Sequence, residues 1–334
     1  MSAVVKRVLV VLAVSLAAAG CGGSAQPAAP TGGDARLGAS GAAFPVRVEH
    51  LHGTTEIARR PQRIVTLGLS DQDPVLALGF RPVGVVDWFK ERPFGNWPWT
   101  KDLWGGAEPV VLGEREDVKL EKLAALKPDL IFAMYSGVQK EQYDTLSKIA
   151  PVVAQPKGFD PYAAPWQDMT LLAGRALGAE DKAKELIAGI ARSFAQVRAD
   201  HPGWAGQSAV AADSFKPGRY FAFQKGDPKS AFLAEMGFTV PEAITKEAGK
   251  LNGVEFGSER MDLLEVDRLV WLTTGTEPHQ RIKGDKVYQT LKVATEGRDL
   301  FLTYQNPPIG AALSFNTVLS IPYALDQALP LLKK

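Results

Sequence analysis

Short apolar runs alternate with helical patterns from residue 63 onward. The runs 64–67, 83–86 and 130–132 are rich in β-branched and apolar residues, and the segments 74–78 and 120–126 between them carry apolar residues at helical spacing. Alternating strands and helices are typical of parallel sheets connected by crossover helices. The pattern therefore predicts an α/β fold.

The longest helical pattern lies near the middle of the chain, between residues 166 and 199, and ends before a Pro-Gly pair. Its apolar residues recur every three or four positions, as on one face of a helix. A helix of this length can join two domains. The predicted organisation is an N-terminal lobe over 46–163, a connecting helix over 164–201 and a C-terminal lobe over 202–334.

One pattern of the first half recurs in the second, displaced by 138 residues. In both copies a Glu opens a short helix, an Asp precedes a buried strand and a Gly follows that strand. The repeated residues are Glu121, Leu123, Leu126, Asp129 and Gly137, which correspond to Glu259, Met261, Leu264, Asp267 and Gly275. A looser repeat relates 76–80 to 233–238, where each Gly suits a helix C-terminus. Repeats of this kind predict two lobes of similar structure.

The first 20 residues have the order of a secretory signal. Lys6 and Arg7 precede an apolar stretch over 8–16 that is too short to span a bilayer, and small residues lead up to Cys21. A Gly-, Pro- and Ala-rich tract follows, which predicts a flexible tether over 21–45. Because Cys21 is the only cysteine, a disulfide within the chain and a thiol catalyst elsewhere are excluded.

Composition places the chain among globular proteins. Its 334 residues are 46% apolar and 22% charged, which is enough to bury one large or two medium cores and is incompatible with disorder. The net charge is +1 and becomes −1 once residues 1–20 are removed. No run of one sign is long enough to attract a polyanion, so we expect no nucleic-acid partner.

Enzyme motifs are absent from the sequence. It contains no phosphate-binding loop, nucleophile elbow, zinc-protease motif or dinucleotide fingerprint. Only His50 and His52 have a spacing that suits chelation, and a solvated edge strand explains them better. Ser70 has no base near it in the sequence, and Asp73-Pro74 suits a helix N-cap followed by proline. We therefore expect no catalytic residue and no metal site.

The segment 120–131 reads Leu-Glu-Lys-Leu-Ala-Ala-Leu-Lys-Pro-Asp-Leu-Ile. Together with strings at 60–65, 76–84, 312–315 and 321–325, it resembles one protein family, the substrate-binding proteins of iron-siderophore, haem and vitamin B12 importers. The string at 120–131 is the most specific of these.

The resemblance implies two Rossmann-like α/β lobes joined by a single long α-helix, with the ligand in the cleft between them. The implied ligand is a ferric siderophore that brings its own iron, so no cofactor is expected. The implied partner is an ABC permease with its ATPase. The chain would act as a monomeric binding protein, not an enzyme.

The segment Ala18-Ala19-Gly20-Cys21 resembles the lipobox of bacterial lipoproteins, with Ala at position 18 where Leu is usual. In such proteins the cysteine becomes the lipidated N-terminus. The resemblance implies a palmitate-type lipid anchor that holds the chain on the extracytoplasmic side of the cell membrane. This is the outer face in monoderm cells and the periplasm in diderm cells. Cleavage of the signal without lipidation is the alternative.

The two repeated glutamates match positions at which this family docks to arginines of the permease. Glu121 and Glu259 would thus place one carboxylate on each lobe, which fixes orientation on a pseudo-symmetric partner. A role confined to the helix N-terminus, where a carboxylate is favourable, is the alternative. The two roles are compatible.

Ligand residues are expected on loops that follow strands, at the cleft. The segment 87–104 contains four of the seven tryptophans. We expect these rings to divide between a small core and a ligand wall, with Trp88, nearest to a strand end, as the best wall candidate.

Arg115 is the sharpest ligand candidate. It stands six residues before Glu121, where ferric-hydroxamate relatives place an arginine that contacts the ligand, and a guanidinium suits anionic oxygens. A surface ion pair with Glu114, Glu116 or Asp117 is the alternative. The remaining candidates, on loops after strands of either lobe, are Tyr135, Ser136, Phe215, Arg219, Tyr220, Phe223, Thr274 and Tyr304.

Three other functions stay open at this point. Haem or a corrinoid would suit the same fold, with Tyr135, Tyr220, Tyr304 or His279 as an axial ligand of haem. A siderophore hydrolase would have to use Ser70 and His279, but no third catalytic partner is in register. A structural scaffold is the third alternative.

Overall fold

The computed structural model describes residues 43–90, 92–115 and 117–333. The predicted signal peptide over 1–20, the lipidation candidate Cys21 and the tether up to residue 42 lie outside this part. The strands are β1 (Val46–His50), β2 (Gly53–Ile57), β3 (Ile64–Thr66), β4 (Gly84–Asp87), β5 (Val110–Glu114), β6 (Asp117–Val118), β7 (Leu130–Ala133), β8 (Val152–Ala154), β9 (Ala209–Lys216), β10 (Arg219–Phe223), β11 (Gly253–Gly257), β12 (Arg268–Thr273) and β13 (Asp299–Thr303).

The α-helices are α1 (Gln72–Ala77), α2 (Leu120–Ala125), α3 (Lys140–Ser147), α4 (Trp166–Ala176), α5 (Glu180–Asp200), α6 (Pro228–Glu235), α7 (Glu242–Ala248), α8 (Thr276–Gly284), α9 (Lys292–Thr295), α10 (Ile309–Phe315) and α11 (Ser320–Leu332). Short 3₁₀ helices cover Pro93–Gly95, Lys101–Trp104, Pro202–Trp204, Ser258–Leu264 and Tyr288–Thr290.

The N-terminal half contains a six-stranded sheet in the order β6-β5-β4-β3-β7-β8. Its strands pair in parallel except β6, which runs antiparallel to β5 at the edge. The strands β3, β7 and β8 are buried along their whole length, as expected when helices cover both faces of a parallel sheet. Separate apolar cores lie on the two faces of this sheet.

The C-terminal half contains a five-stranded sheet in the order β11-β10-β9-β12-β13. It is parallel across β9, β12 and β13, but β10 runs antiparallel to both of its neighbours. The parallel pairing that the alternating pattern suggested is present in this half between β9, β12 and β13, and β10 departs from it. The cause is the turn at Pro217-Gly218, where Gly218 has φ +67°, because Pro followed by Gly favours a tight turn that reverses the chain.

The segment predicted as one helix over 164–201 forms two helices, α4 and α5. The backbone N–H of Ala179 donates to the Gly174 carbonyl (2.7 Å) and that of Gly178 donates to Arg175 (3.2 Å). With Gly178 at φ +65°, these bonds form a Schellman motif, which ends α4. The prediction of an uninterrupted helix over this segment is wrong because a glycine at this position can adopt the left-handed conformation without strain.

The 21 residues of α5 extend about 31 Å at the usual helical rise. Ala183, near its start, belongs to the core of the N-terminal half, whereas Phe194 and Val197, near its end, belong to that of the C-terminal half. The helix therefore connects the two halves and is anchored in both cores.

The repeated aspartates do the same structural task in each half. Asp129 precedes β7 and accepts hydrogen bonds from the backbone N–H groups of Gln62 (2.9 Å) and Arg63 (2.8 Å), directly before β3. Asp267 precedes β12 and accepts one from the N–H of Ser208 (2.7 Å), directly before β9. Each carboxylate satisfies donors at the start of the neighbouring parallel strand. The predicted similarity of the two halves extends to this detail.

The sequence pattern suggested that the strand with His50 and His52 is a solvated edge, and the structure shows that this is wrong for the hairpin of β1 and β2. His50 is buried, its Nε2 lies 2.9 Å from the Thr55 hydroxyl, and its ring lies 5.3 Å from that of Tyr143. The carbonyl of Val138 lies 2.8 Å from Nε2 of His52. His50 therefore packs the hairpin against α3, and His52 attaches it to the loop between β7 and α3.

Candidate ligand-binding site

The carboxyl ends of the strands in the N-terminal sheet open into a cavity of about 630 Å³. Leu67 follows β3, Trp88 follows β4, Arg115 follows β5 and Ser136 follows β7, and all four line this cavity. Helix α3 and Tyr162 close its sides. This edge is where open α/β sheets bind ligands, since loops and helix termini from several strands converge there. Of the predicted ligand residues, Trp88, Arg115 and Ser136 are thus brought together.

Arg115 occupies the turn between β5 and β6 with φ +47°. Its side chain is exposed, and among the described residues no carboxylate pairs with it. The two described acidic neighbours have other partners, because Glu114 pairs with Lys90 (3.1 Å) and Asp117 with Lys119 (2.5 Å). The alternative of an ion pair with either of them is therefore wrong. Glu116, the third acidic neighbour, lies outside the described residues. A guanidinium at a cavity wall that no described carboxylate binds can donate to an anionic oxygen of a ligand.

The indole of Trp88 forms the adjacent wall. Its Nε1 donates to the carbonyl of Leu67 (3.1 Å), so the polar edge is satisfied and the ring face is left to the cavity. By contrast, Trp97 and Trp104 are buried in small cores, and Trp97 stacks on Trp99 with ring centroids 5.1 Å apart. Trp88 thus lines the cavity, whereas Trp97 and Trp104 lie in cores.

Asp71 fixes the two loops that flank the cavity. Its carboxylate accepts three backbone hydrogen bonds, from Gly68 (2.9 Å), Met134 (2.9 Å) and Tyr135 (2.8 Å). Burial raises the pKa of Asp71 to about 6, and these three bonds oppose the rise. The loops after β3 and β7 are therefore held together by one buried side chain.

Asp73 joins the two halves of the molecule. Its Oδ2 accepts hydrogen bonds from the Trp99 indole (3.0 Å) and from the hydroxyl of Thr317 (2.5 Å), which lies between α10 and α11. Because α1 begins at Gln72, the interpretation of Asp73 as a helix N-cap is wrong. Burial raises the pKa of Asp73 to about 7, the bonds to Thr317 and Trp99 oppose the rise, and the charge of Asp71 adds to it.

The carboxyl edge of the C-terminal sheet faces the N-terminal half. Tyr304 follows β13, and its pKa is raised by burial and by the charges of Asp213, Asp227 and Tyr135. Burial and the charge of Asp227 likewise raise the pKa of Tyr135, which follows β7 in the other half. The charge of Asp227 thus acts on a tyrosine of each half. The hydroxyl of Tyr304 lies 2.7 Å from that of Ser314.

Four predicted ligand residues lie in the hairpin of β9 and β10, and not in loops. Tyr220 is buried on the far face of the sheet and donates to Asp285 (2.7 Å), Phe223 is buried in the core, and Arg219 pairs with Glu255 (2.8 Å). Phe215 lies at the end of β9 with 66% of its surface exposed. The expected loop location is therefore wrong for all four, because the turn at Pro217-Gly218 folds this part of the chain into a hairpin.

The remaining predicted positions lie at the cleft edge of the C-terminal half or on the surface. Thr274 follows β12 and is exposed. Glu121 in the first turn of α2 and Glu259 in the first turn of the 3₁₀ helix Ser258–Leu264 are both exposed. Charged groups that sequence reasoning missed at this edge are Asp213, Asp227, Lys229 and Arg281. Asp227 before Pro228 is a helix N-cap signal that would have located one of them.

The raised pKa values predict how stability depends on pH. Burial raises the pKa of Asp73 and of Asp213 to about 7 from an ordinary 3.8, so the folded state binds more protons than the unfolded state above pH 4. The free energy of unfolding should therefore fall from pH 6.5 to pH 8, by about 1 kcal/mol or more. His50, whose pKa burial lowers to about 4, opposes this trend, but mainly below its ordinary 6.5.

Urea unfolding at several pH values checks this expectation. Asp73→Asn should flatten the fall between pH 6.5 and 8, whereas Asp144→Asn, on the exposed face of α3, should leave it unchanged. Stability that rises over this interval in the unmodified protein would contradict the assignment of raised pKa values.

Two further structural features bear on the site. Among residues 43–90, 92–115 and 117–333, no group of three or more His, Cys, Asp or Glu side chains is arranged to hold a metal ion. Within the same part of the chain, no helix is both long and apolar enough to cross a membrane.

The cavity lies at the sheet edge of one α/β half, and a connecting helix joins this half to a second one of similar structure. These features define the chain as a two-lobed α/β binding protein. It belongs to the periplasmic binding protein family, whose model matches residues 64–298. The predicted fold class and family are thereby confirmed.

Solved structures and characterised relatives agree with this membership. A periplasmic solute binding protein from Mycobacterium smegmatis is 33% identical, with a TM-score of 0.76 over 86% of this chain and 97% of that chain. The iron-uptake protein PiaA of Streptococcus pneumoniae, solved with ferrichrome, is 25% identical, with a TM-score of 0.73 over 86% and 97% of the respective chains.

The probable siderophore-binding lipoprotein YfiY of Bacillus subtilis is 32% identical over 197 residues, which are 58% of this chain and 57% of YfiY. The alignment thus spans little more than half of that relative.

Proposed function

We propose that the chain captures a ferric siderophore in the cavity of its N-terminal half and delivers it to the permease of an ABC importer. The observation that carries this proposal is that the Arg115 guanidinium, to which no described carboxylate is bound, lines the same cavity as the Trp88 ring at the carboxyl edge of the sheet. Relatives described as siderophore-binding and a neighbour solved with ferrichrome support it. Iron enters as part of the ligand, so the protein need supply no metal ligands.

Binding to Arg115 is the test of this proposal. Arg115→Ala should weaken the affinity for the ferric siderophore roughly tenfold to hundredfold, because a charge-assisted hydrogen bond is lost. Arg115→Lys should recover part of the loss, since it keeps the charge but not the planar fork. Quenching of tryptophan fluorescence during titration measures both.

Arg192→Ala, on the exposed face of α5, is the matched control and should bind like the unmodified protein. If Arg115→Ala retained full affinity for every ferric complex that the unmodified protein binds, the proposed role of Arg115 would be refuted.

Delivery is proposed to use Glu121 and Glu259 as contacts with the permease and its ATPase assembly. Both carboxylates are exposed in first turns of short helices, one in each half. Attachment to the outer side of the membrane through lipidated Cys21 completes the proposal, with the chain acting as a monomer. The mass of the mature N-terminus distinguishes lipidation from cleavage alone.

The structure gives the alternative functions less support. Burial raises the pKa of Tyr135 and Tyr304, which disfavours the tyrosinate form that ligates haem iron. Ser70 is buried in the N-terminal half, whereas His279 lies on α8 and stacks on Phe301 with centroids 4.0 Å apart. No hydrogen bond joins these two described residues, so a serine hydrolase has no nucleophile–base pair here.

A further inference from the structure

Glu259, in the 3₁₀ helix after β11, stands between two side chains that are each bound to a carboxylate of another element. Ser258, directly before it, donates its hydroxyl to Asp285 (2.6 Å), the residue that follows α8. Arg260, directly after it, donates to Glu247 of α7 through both terminal nitrogens (2.5 and 2.9 Å). Both neighbours of Glu259 in the chain therefore have fixed partners.

Asp285 accepts hydrogen bonds from four donors. Its Oδ2 accepts the hydroxyls of Ser258 and of Tyr220 (2.7 Å), which lies in β10. Its Oδ1 accepts the backbone N–H groups of Val287 (2.8 Å) and Tyr288 (3.2 Å). Burial acts to raise the pKa of Asp285, but these four bonds outweigh it and lower the pKa. An ionised acceptor forms the stronger hydrogen bonds, so Asp285 fastens the start of the 3₁₀ helix to the sheet.

The carboxylate of Glu259 lies against the end of β11. A Cβ atom added to Gly257 would lie 2.2 Å from Oε2 of Glu259, so the carboxylate sits directly over this glycine. Gly257 pairs with Arg219 at the start of β10. Because the side chain rests on the start of its own helix, the position of Ser258 determines where the negative charge is presented.

The pair of Arg260 and Glu247 controls the charge beside Glu259. A guanidinium released from this pair would either neutralise Glu259 or repel a cationic partner of it. Two parallel hydrogen bonds hold the guanidinium in one geometry, and Glu247 compensates its charge. Since the two side chains are 43% and 40% exposed, the pair matters less for stability than for where the charge is placed.

On the basis of the docking role proposed above, we infer that Asp285 and Glu247 are positioning residues that present Glu259 to the permease. A carboxylate held in place before contact loses less conformational freedom when it binds. The N-terminal half differs in this respect, because Glu121 follows Leu120, whose side chain has no group that can donate to such an anchor. The two docking glutamates are therefore presented in different ways.

Replacing Ser258 tests the anchor in cells that make the full chain as their only copy. The probe is radiolabelled iron in whichever of ferrichrome, ferrioxamine B and ferric citrate binds most tightly in fluorescence titration. Ser258→Ala should lower uptake about fivefold, because one hydrogen bond is lost, and should change affinity for the probe less than about twofold. Ser258→Thr, which keeps the hydroxyl, should retain normal uptake.

A matched control removes an equivalent bond elsewhere in the same half. The Ser208 hydroxyl donates to Asp267 (2.8 Å) at the amino edge of the sheet. Ser208→Ala should therefore cost similar stability in urea unfolding but leave uptake unchanged. An equal loss of uptake in both variants would trace the effect to stability and would overturn the inference.

A double-substitution cycle separates positioning from a merely structural role. Glu259→Gln alone should lower uptake about tenfold, since the docking charge is lost while Glu121 remains. If Ser258 acts through Glu259, then adding Ser258→Ala to Glu259→Gln should lower uptake no further. A fall by the same factor in both backgrounds would contradict the inference.

Glu247→Gln tests the second anchor. It releases Arg260 beside Glu259 and should lower uptake about threefold, with affinity for the probe unchanged. Glu242→Gln is an equal charge change on the same helix, at an exposed residue paired with Lys246 (3.2 Å), and should have no effect. Equal uptake by these two variants would remove Glu247 from the inference.

The outcomes separate the inference from the proposed function. Normal uptake by Glu259→Gln overturns the docking role of Glu259 and, with it, the inference. A fall for Glu259→Gln combined with normal uptake for Ser258→Ala and Glu247→Gln overturns the inference and leaves docking standing. Failure of every ferric complex to bind overturns siderophore capture and the inference that rests on it.

Discussion

Replacing Glu121 and Glu259 together by arginine should reduce uptake of the ferric siderophore to background, with ligand affinity changed less than about twofold. Both side chains are exposed, and Glu121 has no ion-pair partner among the described residues. Surface charges of this kind act on recognition of a partner, and like charges placed against each other prevent correct docking. Uptake of radiolabelled iron complex in cells that express only the variant measures the effect.

The matched control reverses two exposed glutamates at the opposite, amino edges of the sheets, Glu108 before β5 and Glu296 before β13. Because its net charge change is identical, any general effect of charge appears in both variants. Normal uptake by the Glu121/Glu259 variant would refute docking. Loss of ligand affinity in that variant would place the glutamates at the ligand site instead.

Asp71→Ala should cause the largest loss of stability among single substitutions of the site, roughly 3 kcal/mol or more in free energy of unfolding. The change leaves three buried backbone N–H groups without an acceptor, each worth about 1 kcal/mol or more. Burial of the Asp71 carboxylate is itself unfavourable, which is why its pKa is raised, so its removal offsets part of this loss of stability. Urea unfolding at pH 7 measures the difference.

Ligand affinity provides the second measurement for Asp71. Since the loops after β3 and β7 border the cavity, we expect Asp71→Ala to weaken siderophore binding under conditions where the variant is still folded. Asp144→Ala, on the surface of α3, should change neither stability nor affinity. A variant at Asp71 with native stability would show that water replaces the lost acceptor.

The parts of the fold that sequence could predict are those fixed by local chemistry. Asp129 and Asp267 stand before buried strands, and the structure shows why both are aspartates, since each binds N–H groups at the start of the adjacent strand. The cavity position of Trp88 followed from its location after a strand, because the ends of parallel strands converge at one edge. Arg115 was expected there from the family resemblance, through its spacing from Glu121.

The parts that sequence did not predict depend on two glycines and on distant partners. Gly178 ends α4 within a pattern that otherwise suits one longer helix. Gly218 turns β9 back into β10 within a segment that otherwise suits a loop. Asp73 is a different case. Its partner Thr317 lies 244 residues away along the chain, and no local pattern can pair residues across that distance.

The composition of the cavity wall has a consequence for access. Every residue that lines it lies between positions 67 and 162, in one half of the molecule. A change in the angle between the halves therefore cannot dismantle the wall, and it alters only how much of an occupant faces solvent. Two properties of the site are therefore controlled separately. The C-terminal half determines how far an occupant is shielded from solvent, and the side chains around Arg115 determine how tightly it is held.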